Sequence, residues 1–206
     1  MGSDLIGNVS GVLIAGGKSR RMGQDKRFLR VGGERLFERT LSLLMNTFTE
    51  TIVVLAEPLD TLDVRGCRVV YDAIPNTGSL GGLYTGLMAA SPSRVFAVAC
   101  DLPFLDPAVI RYMLSYDAAA DVVVAELAGR FQPMHAVYSG RCVPVLKDMA
   151  ERHDLKIQKL FSREGLRTAV LGADDFSSIQ SALRSFQNIN TPEDLALAEA
   201  PISDKL

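Results

Sequence analysis

The chain is poor in the residues that usually mark a redox or zinc protein. Its 206 residues include three cysteines, Cys67, Cys100 and Cys142, set far apart and with no CxxC pair. That spacing removes support for zinc ribbons, thioredoxin-type motifs and a disulfide framework, and it suits a reducing compartment. Two histidines are present, and nothing stands at metal-ligand spacing from His135, so a zinc site is not expected. Positive charge is not in excess: 22 Lys+Arg against 24 Asp+Glu gives a net −2. A bulk electrostatic nucleic-acid binder is therefore disfavoured, although a local basic site is not. No long apolar run occurs. The longest uncharged stretch, residues 73–93, is punctuated by Pro75, Asn76, Gly78, Gly81, Gly82, Gly86 and Pro92, and reads as turns rather than a membrane span. The first residues, Met1-Gly2-Ser3-Asp4, are acidic and lead into apolar positions interrupted by Gly7, Asn8 and Ser10. Neither a secretory signal nor, with Ile6 at the sixth position, a myristoylation site is expected. The expectation is a soluble, cytoplasmic protein without nucleic-acid or membrane partners.

What is present is apolar surface. Hydrophobic residues make up 48% and charged residues 22%, which excludes disorder. At about 150 residues per domain, the length predicts one domain over 1–206. Short apolar, β-rich runs at 9–15, 52–55, 68–71, 95–99, 121–125 and 135–138 predict strands buried on both faces. Helix-period segments lie between and after them, at 36–48, 83–90, 107–114, 143–151 and 192–199. Pro107 and Pro192 suit a first helical turn, and Thr191 stands where an N-cap hydroxyl belongs, with Glu193 and Asp194 at the positive helix start. Alternating strands and helices predict an α/β sandwich, whose ligands collect beyond the carboxyl ends of the strands.

The residues at those ends are therefore the candidates. Ile14-Ala15-Gly16-Gly17-Lys18-Ser19-Arg20-Arg21-Met22-Gly23-Gln24-Asp25-Lys26 closes the first strand and continues beyond it. Its glycines permit close backbone approach, and its N–H groups can form an anion nest. Six basic residues (Lys18, Arg20, Arg21, Lys26, Arg27 and Arg30) stand against the single acid Asp25. A polyphosphate needs this combination of N–H donors and mobile cations. The loop is neither a Walker A motif nor a Rossmann fingerprint, and a solvated basic turn is its other reading. Asp101, in Cys100-Asp101-Leu102-Pro103, can hold a hard cation such as Mg²⁺ alongside phosphate oxygens, or act as a turn residue before Pro103. Asp72 has the same options and opens a turn-rich loop, 72–82, able to surround a nucleobase. Asn188 and Asn190 alternate at a predicted strand end, as metal or phosphate contacts or as local turn bonds. His135 reads first as a packed histidine and second as a substrate contact. Cys100 reads as a small core residue.

These blocks together resemble the molybdenum cofactor guanylyltransferase family, the MobA-like nucleotidyltransferases. The resemblance rests on residues 13–26 and on Gly78-Ser79-Leu80-Gly81-Gly82-Leu83, Cys100-Asp101-Leu102-Pro103, Pro133-Met134-His135-Ala136-Val137-Tyr138 and Asn188-Ile189-Asn190-Thr191-Pro192-Glu193-Asp194-Leu195. It runs from Val9 to about Ala198. It implies a three-layer α/β/α Rossmann-like nucleotidyltransferase fold with a mostly parallel sheet. The implied halves are a nucleotide-binding one (about 9–105) and an acceptor-binding one (about 106–200). The implied reaction joins GTP to molybdenum–molybdopterin, giving the guanine dinucleotide cofactor and pyrophosphate.

Carried over by position, Ile14, Ala15 and Gly16 would contact the guanine nucleotide, Lys26 its phosphates and Asp72 the nucleotide. Asp101 would bind both nucleotide and Mg²⁺, and Asn188 and Asn190 match late site asparagines. Arg21 and the N–H groups of Gly16 and Gly17 would join Lys26 on the β- and γ-phosphates. Members often carry an asparagine where Leu55 stands here, and the frequent proline of the Gly78 loop is Ser79. A CTP-using enzyme, one with another phosphorylated acceptor, and a non-catalytic nucleotide- or cofactor-binding module are the alternatives. The pterin is expected around 132–138, with Arg130, Arg152, Lys156 and Lys159 as candidate contacts or as a solvated helix face. Molybdoenzymes or their chaperones would receive the product.

Overall fold

The computed structural model describes residues 5–16, 26–58 and 62–199. From the N-terminus come β1 (Ser10–Ile14), a 3-10 turn over Lys26–Phe28, a small hairpin of β2 (Arg30–Val31) and β3 (Glu34–Arg35), and helix α1 (Leu36–Met45). Next come β4 (Thr51–Leu55), β5 (Arg68–Tyr71), α2 (Gly78–Ala89), β6 (Arg94–Ala99) and α3 (Pro107–Tyr116). β7 (Val122–Leu127), β8 (Arg130–Ser139), α4 (Val143–Glu151), β9 (Thr168–Leu171) and α5 (Pro192–Glu199) complete the chain, with further 3-10 turns between them. The main sheet has seven strands in the order β5-β4-β1-β6-β8-β7-β9. β8 pairs antiparallel with both neighbours, and every other pairing is parallel.

The β-branched runs build this sheet because alternate side chains serve two cores. Val12 and Ile14 of β1 pack with Leu80 and Leu83 of α2 and Leu146 of α4. Leu13 and Ala15 face the other way, with Phe37 and Leu41 of α1 and Val109 of α3. The same division runs through β4 (Ile52 and Val54 against Val53 and Leu55) and β6 (Val95 and Ala97 against Phe96 and Val98). Each fully buried side chain of this size contributes about 1.5–3 kcal/mol. The two faces and the sheet between them form the expected three layers.

Four of the expected elements differ from their reading. β5 is an edge strand: Arg68 and Tyr71 are exposed and Val69 and Val70 only partly covered, so it is not buried on both faces. β8 starts well before His135. Pro133 lies where the β7–β8 register jumps from Val124↔Ala136 to Glu126↔Phe131, and a bulge accommodates a residue with no N–H to donate. The stretch read as turns forms α2 from Gly78 onward. A Cβ on Gly82 would stand 2.7 Å from Ile14 Cγ2, and one on Gly86 2.5 Å from Val12 Cγ1. These glycines let the helix lie close on β1, which outweighs their poor helix propensity. Finally, 187–190 is not a strand end, since it pairs with no strand among the described residues.

The expected helix starts hold. Asp106 Oδ1 accepts the Ala108 N–H at 2.7 Å ahead of Pro107. Asp194 N–H donates to Thr191 Oγ1 at 3.1 Å, while Asn190 and Thr191 N–H both donate to Asp194 Oδ2 at 2.9 Å, a reciprocal cap. No disulfide links Cys67, Cys100 and Cys142. Among the described residues no helix is long and apolar enough to cross a membrane.

Candidate functional site

The parallel strands bring their carboxyl ends to one edge of the sheet. The register sets Ile14 beside Val54 and Ala99, and Leu55 beside Tyr71. Four successive exits therefore line that edge: Ala15-Gly16 after β1, Ala56 after β4, Asp72 after β5 and Cys100-Asp101 after β6.

Asp72 is the most informative of these. Its Oδ2 lies 3.4 Å from where a Cβ of Gly16 would stand, and its Oδ1 3.7 Å from that position on Gly82. Oδ1 is buried and has no hydrogen-bond partner among the described residues. Burial pushes the carboxyl pKa up to about 6. A buried acceptor lacking a donor points to a missing partner, because native structures leave few such atoms unpaired. The backbone here is held on both sides. Asp72 N–H donates to the Leu55 carbonyl at 2.9 Å, and Ala73 N–H donates to Thr85 Oγ1 at 2.9 Å.

Asp101 is half-buried at the tip of β6, after Cys100, which packs in the core as expected. Its carbonyl accepts the Ile189 N–H at 2.9 Å. Ile189 is buried, Asn188 exposed and Asn190 half-buried. One main-chain bond thus brings both asparagines to the Asp101 loop. Among the described residues no group of three or more His, Cys, Asp or Glu could by itself enclose a metal. A single carboxylate with neighbouring amide oxygens fits a hard divalent cation whose shell is completed by phosphate and water, and does not fit zinc.

Gly17 and Arg21 lie outside the described residues, as do Lys18, Arg20 and Asp25. Lys26 opens the 3-10 turn over Lys26–Phe28. Ile14 and Ala15 are buried, with their side chains in the two cores, so what they offer a ligand is main chain. Arg27 is not a mobile cation: it is buried, and its Nη1 donates to the Ala15 carbonyl at 3.4 Å. Arg30 is engaged with the Gly33 carbonyl at 2.5 Å. Leu55 is buried in the core and presents no polar group.

His135 is a packed residue, 1% exposed. Its ring stacks on Phe186 at 4.2 Å and meets Phe96 edge-on at 5.3 Å. Burial pushes its pKa down to about 3, the Ser185 backbone offsetting part of the effect. Tyr138, also buried, donates to the Pro133 carbonyl at 2.7 Å. Arg152 and Lys159 are ion-paired locally with Asp148 and Asp154 at 2.8 Å, whereas Arg130 and Lys156 are exposed.

Sequence reasoning missed two contributors, the Ala56 amide and Thr85. A Cβ on Gly16 would come within 3.2 Å of the Ala56 nitrogen. The available signal for Thr85 was a buried hydroxyl in an uncharged helix, beside glycines spaced four apart.

Residues 11–168 match the model of the MobA-like NTP transferase domain. A protein of Pelotomaculum thermopropionicum named probable molybdenum cofactor guanylyltransferase is 34% identical over 190 residues, covering 92% of this chain and 91% of that one. A Desulfosudis oleivorans protein named molybdenum cofactor guanylyltransferase is 34% identical over 196 residues, covering 94% and 96%. The crystal structure of molybdopterin-guanine dinucleotide biosynthesis protein A from Archaeoglobus fulgidus superposes with a TM-score of 0.81 at 24% identity, covering 93% and 97%. That likeness is one of fold.

Proposed function

The chain belongs to the MobA-like NTP transferase family, and from that membership we propose that it transfers GMP from GTP to the terminal phosphate of molybdenum–molybdopterin, releasing pyrophosphate. The observation that carries this reading is the Asp72 carboxylate, seated between Gly16 and Gly82 with a buried, unpartnered oxygen, on the same sheet edge as Asp101. An ionised carboxylate only accepts hydrogen bonds. The guanine edge offers two adjacent N–H donors to it, and Gly16 puts no side chain in the way of the base.

In the reaction, an oxygen of the acceptor phosphate forms a bond to the α-phosphorus of GTP, and the bond to the β-phosphate bridging oxygen breaks. Its electron pair leaves with pyrophosphate. The protein aligns the groups and offsets charge. Lys26, Arg21 and the N–H groups of Gly16 and Gly17 would grip the β- and γ-phosphates. Asp101, with phosphate oxygens, would hold Mg²⁺, which when bound supplies countercharge to the leaving group. Residues after about 106 would receive the pterin, with Asn188 and Asn190 beside the phosphates. The product would pass to molybdoenzymes or their chaperones.

The test is pyrophosphate release with molybdenum–molybdopterin and each of GTP, CTP, ATP and UTP, with and without Mg²⁺. Turnover with GTP and Mg²⁺ supports the reading. Preferred use of CTP would favour the second reading, to which the buried, apolar Leu55 lends support. Tight GTP binding without turnover on any acceptor would make the chain a carrier rather than an enzyme.

A further inference from the structure

α2 does more than cover the sheet. Gly82 and Gly86 let it approach β1 until their Cβ positions overlap Ile14 and Val12. Thr85 lies between those glycines in the chain and is 5% exposed. Its hydroxyl accepts the Ala73 N–H at 2.9 Å. A threonine hydroxyl within a helix commonly turns back to its own helix's carbonyls. This one accepts a bond from another element, at the residue directly after Asp72.

We infer that Thr85 is a positioning residue of the nucleotide site, its hydroxyl fixing the Ala73 amide so that the Asp72 carboxylate is held between Gly16 and Gly82. The inference rests on the reading that Asp72 contacts the base. The Asp72 N–H is tied to the Leu55 carbonyl at 2.9 Å, and Thr85 ties the next amide. Two anchors on consecutive amides fix the backbone at Asp72 and so the direction of its side chain. Without the second anchor, a carboxylate with a buried and unpartnered Oδ1 would relax toward water, because an unsatisfied buried charge is costly. Thr85 thus preorganises an acceptor that has no partner among the described residues. Nothing in this requires Thr85 to touch the nucleotide.

The experiment compares the wild-type chain with Thr85→Val, which keeps shape and loses the acceptor, and Thr85→Ser, which keeps the acceptor. Asp72→Asn and the double variant with Thr85→Val complete a cycle. The dissociation constant for GTP is measured by calorimetry at neutral pH without acceptor, together with the melting temperature of each ligand-free protein. Thr85→Val is expected to weaken GTP binding roughly 5- to 10-fold, the scale of one lost hydrogen bond. Thr85→Ser should restore the affinity, and Thr85→Val should have no further effect once Asp72 is Asn. Should Thr85→Val fail to fold, Thr85→Ala removes the same acceptor. Unchanged GTP affinity in the folded Thr85 variant, with Asp72→Asn still weakened, overturns the inference. So does an equal loss from Thr85→Val in the Asp72→Asn background. Unchanged affinity in Asp72→Asn alone would instead remove the underlying reading of Asp72, and the inference with it.

Discussion

Asp72 and Gly16 meet across the sheet edge so closely that a methyl on the glycine would stand 3.4 Å from the carboxylate oxygen and 3.2 Å from the Ala56 nitrogen. Gly16→Ala should therefore fold, at an overpacking cost of about 1 kcal/mol, yet fill the space above the carboxylate. A calorimetric GTP titration should show affinity reduced by roughly tenfold or more, corresponding to at least 1.4 kcal/mol of lost binding. Unchanged affinity would remove the base from this edge.

Asp72 itself should trade stability against binding. Burial raises its folded pKa to about 6 from 3.8. Above pH 6 the fold bears the full cost of the desolvated charge, and that cost declines as the pH falls from 6 toward 3.8. Ligand-free Asp72→Asn should accordingly melt above wild type at neutral and alkaline pH while binding GTP poorly. In the wild-type chain, GTP affinity should weaken as the pH drops through 6, approaching tenfold per pH unit. A pH-independent dissociation constant would rule out the ionised carboxylate as the contact.

His135 acts in the opposite sense. Its folded pKa is pushed down from 6.5 to about 3 by complete burial. Its share of stability is present above pH 6.5 and is lost as the pH falls toward 3, because the unfolded chain takes the proton first. The slope approaches about 1.4 kcal/mol per pH unit in that window. His135→Phe should keep the ring packing on Phe186 and flatten the acid limb of a denaturant-stability profile. An equally steep limb in the variant would assign acid sensitivity elsewhere.

Asp121 ties three strands together at the sheet edge opposite the site. It accepts Ser139 Oγ at 2.8 Å, the Arg167 N–H at 2.9 Å and Arg141 Nη1 at 3.3 Å. Burial, the largest single influence on its carboxyl, would raise the pKa, but these bonds and the nearby arginine charges together hold it below the usual range. Asp121→Ala should destabilise by about 2–4 kcal/mol. GTP affinity of the folded variant should stay within about twofold of wild type, since the sites are independent. Chemical denaturation and calorimetry read the two effects separately.

In steady-state assays with the molybdopterin acceptor, Lys26→Ala should lower kcat by roughly 10²–10³, the scale of a lost transition-state donor. Asp101→Asn should remove the Mg²⁺-dependent part of turnover, as should chelation of the wild-type enzyme. Near-normal Mg²⁺-dependent turnover in Asp101→Asn would place the cation elsewhere.

Much of the fold, and the placing of the candidate residues at strand exits, is legible in the sequence, for local reasons. The run 68–71 and the segments 143–151 and 192–199 fall at the expected bounds, because β-branched runs and capping residues act within a few positions. Asp72 and Asp101 stand out simply because each is a carboxylate at the exit of an apolar run. The features that escape a sequence reading depend on distant partners. The first turn of α2 hides behind Gly78, Gly81 and Gly82, the last of which serves the approach to Ile14. The first half of β8 hides behind Pro133, tolerated only at the bulge with β7. β9 has four residues and an exposed Val170, too little pattern to announce a strand. Thr85 becomes visible only when the fold sets its hydroxyl against Ala73.

The bond from Ile189 to the Asp101 carbonyl has a bearing on biosynthesis. That amide follows every described strand in chain order, and Ile189 shares a small apolar cluster with Leu29, Val31 and Leu36. A nascent polypeptide still short of residue 188 lacks this tether and both late asparagines. The tether at the sheet edge is thus made only after the strands it joins have been synthesised, so a product cut before residue 188 would keep the strands of its sheet but lack the clasp on the Asp101 loop.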